Sequence, residues 1–88
     1  MEFEFDPVKS ASNLRKHGID FDHAQALWHD QDRLEIPARS TDEPRVQVIG
    51  RIDNRVWSAF TTIRDGRVRI ISVRRARHEE EEEAYRQD

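Results

Sequence analysis

The chain has 88 residues, 35% of them hydrophobic and 38% charged, enough for one domain but too little interior for two. It contains no cysteine, which excludes disulfides, thiolate zinc sites and cysteine nucleophiles and fits a reducing compartment. The acidic opening Met1-Glu-Phe-Glu-Phe-Asp-Pro7 has no long apolar run, so neither a signal peptide nor a membrane span is expected, and a cytoplasmic location is.

The net charge of -3 hides a strong asymmetry. Between 45 and 77 there are nine arginines against Asp53 and Asp65, while the other residues carry six basic and sixteen acidic side chains. Thirteen of the fifteen basic residues are arginine, whose planar fork suits phosphate contact and base stacking. The pattern points to a nucleic-acid partner for that segment.

In chain order, Phe3 and Phe5 alternate with Glu2 and Glu4 as a short strand would. Asp6-Pro7 then supplies an N-cap and a first-turn proline. Val8, Ala11 and Leu14 share a helical face and Gly18 stops it, so a helix is predicted from Pro7 to His17. Asp20 caps a predicted second helix on which Phe21, Ala24, Leu27 and Trp28 recur, with Trp28 read as core. The stretch 30–44 is polar and holds two prolines, Pro37 and Pro44, after Leu34-Glu35-Ile36, which fits either a short edge strand or an irregular loop.

From Arg45 onward, three alternating runs separated by Asp53-Asn54 and Asp65-Gly66 predict an antiparallel three-stranded meander. Two-residue turns would pair Ile63 with Val68, Phe60 with Ile71 and Gly50 with Trp57. One face then holds Val46, Val48, Ile52, Trp57, Ala59, Ile63, Val68 and Ile70 and should receive the helices. The other mixes Ile49, Val56, Phe60, Ile71 and Val73 with Arg51, Arg69 and Arg75, and is either a ligand or partner surface or the bed of a final helix. From His78 the Glu-rich end favours a C-terminal helix with no apolar stripe beyond Ala84 and Tyr85, a frayed or disordered acidic tail over 78–88. The fold class is therefore α+β, a single domain over 1–88.

His17, His23, His29 and His78 form no chelating pattern, and the glycines stand alone at 18, 50 and 66, so no metal site, cofactor or nucleotide loop is expected. The remaining chemistry needs only positioned cations and proton-transfer groups. Metal-free RNA cleavage is of that kind, because the substrate's own 2′-OH attacks phosphorus. Arginines would stabilise charge, and His17, Glu35 or His78 would move protons, with the choice among them left open. His17 stands out because the end of the first helix could meet the basic sheet, where a helix C-terminus favours the protonated ring.

Phe3-Glu-Phe-Asp-Pro followed by Lys9, Asn13, Lys16-His17-Gly18-Ile19 and Phe21 resembles the opening of the BrnT toxin family. Leu34-Glu-Ile-Pro37 and Arg67-Val-Arg-Ile-Ile-Ser-Val-Arg-Arg-Ala76 are similar to its middle and its last strand. The resemblance runs to about Arg77, with Phe5 where the family often has Trp and a more acidic tail than many relatives carry. It implies a RelE-like fold, an endoribonuclease that inhibits translation, and neutralisation by a BrnA-type ribbon-helix-helix antitoxin in a 2:2 complex that binds its own promoter DNA. By position it carries over Lys9, Lys16, His17, Glu35, Arg64, Arg69, Arg74 and Arg75. Combined with the sheet faces, the expected site is catalytic His17, Glu35, Arg69 and Arg75, with Lys9, Lys16, Arg51, Arg64 and Arg74 binding RNA. The alternative is a non-catalytic subunit that binds a DNA-binding antitoxin and modulates its promoter binding.

Overall fold

A computed structural model describes residues 1–39 and 42–86. Strand β1 (Phe3–Glu4) leads into helix α1 (Pro7–His17), whose ends follow from its caps. Asp6 accepts a hydrogen bond from the Val8 N–H at 2.8 Å, Pro7 opens the first turn, and Gly18 takes φ 80° while donating to the Leu14 carbonyl at 3.0 Å. The left-handed conformation at Gly18 is one that a residue with Cβ adopts only at a cost.

Asp20 caps α2 (Phe21–Ala24), accepting from the His23 N–H at 2.7 Å. The predicted second helix is then cut short. Residues Gln25–His29 tighten into a 3-10 helix that packs against β3 (Arg45–Ile52). There Gly50 lets the backbones approach: a Cβ on it would lie 3.0 Å from Leu27 Cδ2 and 3.3 Å from the Leu27 carbonyl oxygen.

The predicted meander is the centre of a larger sheet. Strand β3, β4 (Arg55–Arg64) and β5 (Arg67–Arg75) pair antiparallel; β2 (Leu34–Ala38) adds to β3 and β1 adds parallel to β5, for an order β1-β5-β4-β3-β2. The segment left open between strand and loop is thus an edge strand, a position where Pro37 sacrifices no ladder bond with an outer neighbour. Residues 40 and 41 of the predicted 30–44 connection lie outside the described residues. The Asp65-Gly66 turn has φ 52° and 76°, the positive pair that a type I′ hairpin requires.

Gly50 opposes Trp57 and Ile63 opposes Val68, as the turns predict. Phe60, however, opposes Ser72 rather than Ile71, because a bulge at Ile71 inserts one residue into β5. Since sides alternate with period two, the bulge exchanges the faces of everything after it. Val73 moves into the helix-side core, Arg75 falls opposite Trp57 on that same side, and Ser72 and Arg74 turn to the other face. The predicted grouping of Val73 and Arg75 with Arg51 and Arg69 is corrected accordingly.

The helix-side core joins Ile19, Phe21, Ala24 and Leu27 to Val48, Trp57, Ala59, Ile70 and Val73. Trp28 packs against it, edge-on to Phe3 at 4.8 Å, which secures β1. Ile63, predicted to meet the helices, is 63% exposed at the hairpin tip beyond their reach. The second face carries α3 (His78–Tyr85), which packs on β3; the predicted acidic tail is helical through Tyr85, and residues 87 and 88 lie outside the described residues. No helix among the described residues is long and apolar enough to cross a membrane.

Candidate functional site

Helix α1 is fixed to the sheet by polar groups rather than by its weak apolar stripe. Asn13 is buried, and its amide donates to the Ile19 carbonyl at 2.8 Å and to the Val73 carbonyl at 2.9 Å while accepting from the Val73 N–H at 3.1 Å. One side chain thereby pairs the outer edge of β5 as a neighbouring strand would, two residues past the bulge. Ser10, also buried, accepts from the Phe21 N–H at 2.9 Å and holds the helix pair together.

This anchoring sets the exposed side of α1 against the bulge. Lys9, Lys16 and His17 line a cleft of about 200 Å³ with Ser12, Ile71 and Ser72. Among the described residues none of the three basic side chains has an ion-pair partner. His17 is the last residue of the helix. The cleft thus combines positive charge with a group able to carry a proton.

The second face has a different character, because Arg51, Arg64, Arg69 and Arg74 there are engaged. The Arg74 guanidinium grips Glu80 of α3 through two bonds, at 2.7 and 2.8 Å. The same carboxylate accepts from Gln47 at 2.8 Å, Ser58 at 3.0 Å and the Arg77 N–H at 2.8 Å. With Arg74 the largest cause, this holds the Glu80 carboxyl down at about 2 against its ordinary 4.5, and Arg74 is raised in turn. Arg69 pairs with Glu4 at 3.2 Å and Arg64 with Glu43 at 3.5 Å. Arg51 stacks over Tyr85 at 4.3 Å. The Tyr85 hydroxyl donates to Asp30, and burial and that bond push its pKa upward.

Of the expected site, then, Lys9, Lys16 and His17 come together and the others do not join them. Glu35 sits opposite Val48 on the edge strand, paired with Arg33 at 3.0 Å. Three strand spacings, roughly 14 Å, separate its strand from β5. Arg75 lies with its guanidinium 5.5 Å from the Trp57 ring, and Arg51, Arg64, Arg69 and Arg74 have the partners just described. Sequence reasoning did not select Asn13, Ser72 or Glu80 for the site. The Ile70-Ile71 doublet was the available mark of the bulge that places Ser72, whereas one glutamate in a run of five carries no mark of its own.

Among the described residues no three histidine, aspartate or glutamate side chains cluster as metal ligands would. No curated protein matches the chain. The family described as the ribonuclease toxin BrnT of a type II toxin-antitoxin system matches residues 5–80, a span containing the α1 cleft, strands β2 to β5 and Glu80, and the chain belongs to that family.

Proposed function

We propose that the protein is a RelE-like, metal-independent endoribonuclease that cuts RNA and so inhibits translation, and that a BrnA-type ribbon-helix-helix antitoxin neutralises it. The observation that carries this reading is the convergence of Lys9 and Lys16, which have no ion pair among the described residues, with His17 on the β5 bulge. In such a reaction the 2′-oxygen of the substrate attacks the adjacent phosphorus and the P–O5′ bond breaks. One proton leaves the 2′-OH and one reaches the 5′-oxygen. His17 would carry a proton, and the two lysines would stabilise the charge that grows on the phosphoryl oxygens. Arg69, Arg75 and Glu35 would then act outside this step, in substrate approach or in the fold.

The test is cleavage of RNA by the purified chain, without antitoxin and in EDTA. Wild type should cut, and His17→Ala should lose about two to four orders of magnitude in rate, the usual contribution of a proton-transfer group. Full activity in the His17→Ala protein would overturn the assignment, and loss of cleavage in EDTA with rescue by a divalent ion would overturn the metal-free mechanism.

A second reading has its own support. Four sheet arginines, Arg64, Arg67, Arg69 and Arg74, are neutralised by the chain's own carboxylates, as suits a subunit that only binds a DNA-binding antitoxin and tunes its promoter affinity in a 2:2 complex. Absence of any RNA cleavage by a folded, antitoxin-free chain would favour it.

A further inference from the structure

Ser72 lines the His17 cleft and also a second, larger one of about 580 Å³ on the other sheet face, bordered by Pro37, Arg39, Arg45, Gln47 and Phe60. The two clefts therefore adjoin at that residue. The register explains the shape: Ser72 opposes Phe60, Phe60 opposes Gln47, and Gln47 opposes Ile36, a single row of side chains across four strands. The row spans roughly 14 Å from β5 to β2. Without the bulge at Ile71, Ser72 would not face this row.

The second cleft has the composition of a single-strand platform. Phe60 supplies an aromatic ring that is only partly buried, with the Arg74 guanidinium 5.2 Å from its centroid. Arg39 and Arg45 flank it and, unlike Arg64, Arg67, Arg69 and Arg74, have no ion pair among the described residues. The Arg45 Nε is moreover buried with no hydrogen-bond acceptor among the described residues, a donor that native structures rarely leave unused. Gln47 is tied to Glu80, so α3 borders the row at the point where its own carboxylate is neutralised by Arg74. An aromatic ring between cations that lack carboxylate partners is how proteins hold an unpaired base with its neighbouring phosphate.

We propose that single-stranded RNA bound at the His17 cleft continues over Ser72 and stacks a neighbouring base on Phe60, with Arg45 and Arg39 holding the adjoining phosphate. This subsite rests on the ribonuclease reading and extends it, because it selects unpaired over duplex RNA and makes Phe60 a determinant of where the strand is held.

The test uses the full chain and a fluorescent 2′-O-methyl RNA oligonucleotide, which lacks the attacking hydroxyl and stays intact, followed by anisotropy. Phe60→Leu keeps an apolar side chain of similar bulk but removes the ring. It should weaken binding about ten-fold, the effect of losing one stacked base, and should change little the affinity of a matching oligonucleotide whose bases are replaced by abasic residues. Arg45→Ala should weaken both oligonucleotides, as a phosphate contact does. Unchanged affinity of Phe60→Leu for the intact oligonucleotide, or equal loss for both, overturns the subsite. So does a Phe60→Leu protein that binds RNA normally but no longer binds antitoxin. If wild type cleaves RNA and yet any of these results is found, the subsite alone falls; if wild type neither binds nor cleaves RNA, the ribonuclease reading falls with it.

Discussion

Glu80 shows how one side chain can serve a fold while standing in a row of apparent equals. Glu79 to Glu83 are chemically identical, yet only Glu80 receives Arg74, Gln47, Ser58 and the Arg77 N–H. Its carboxyl is depressed in the folded state from 4.5 to about 2, so its contribution to stability is complete above about 4.5 and is lost as pH falls toward 2. In thermal melts across that range, wild type should lose Tm more steeply than Glu80→Gln, whose amide cannot titrate. The variant should also melt lower at neutral pH, since Arg74 keeps a half-buried charge without its carboxylate. Parallel pH profiles for the two proteins would show that the Arg74–Glu80 bond contributes nothing to stability.

Among the elements, the 3-10 helix Gln25–His29 depends on Gly50 more than on its own propensity. A methyl there would press on both the side chain and the carbonyl of Leu27, so Gly50→Ala should destabilise by about 1–3 kcal/mol as overpacking does. Chemical denaturation would read this as a lower midpoint at unchanged slope, and an unaltered midpoint would mean that the 3-10 helix shifts freely. Local chemistry made much of the element order legible: Asp6-Pro7 and Gly18 bracket α1, and Asp65-Gly66 fixes the last hairpin. What local patterning could not supply was the bulge. A strict period-two reading of 67–75 carries Arg75 to the wrong face, although Ile70, Ile71 and Val73 cannot all satisfy one alternation. The candidate site was half legible for the same reason. Lys9, Lys16 and His17 lie on one continuous helix and stay together, whereas Glu35, Arg69 and Arg75 depend on register and strand order, which single-strand patterns do not contain.

For the whole molecule, charge asymmetry along the chain became charge pairing in space. Acidic residues from both ends of the sequence, Glu2, Glu4 and Glu80, fold onto the arginine segment and neutralise Arg67, Arg69 and Arg74. Lys9, Lys16, His17, Arg39 and Arg45, which have no ion pair among the described residues, sit around α1 and the Phe60 cleft. Helix α3 completes this pattern in an unusual way, because none of its residues is buried and it is held by polar bonds at its two ends, Glu80 on the sheet and Tyr85 on Asp30. An element attached in this manner has little apolar surface at stake in its own detachment, so its opening free energy should lie far below that of the sheet. Amide hydrogens of 81–85 should accordingly exchange with solvent through a local opening whose rate is insensitive to mild denaturant, while those of β4 exchange only with global unfolding. Measured by hydrogen–deuterium exchange, equal protection of α3 and β4 would mean that the helix and the sheet open as one cooperative unit.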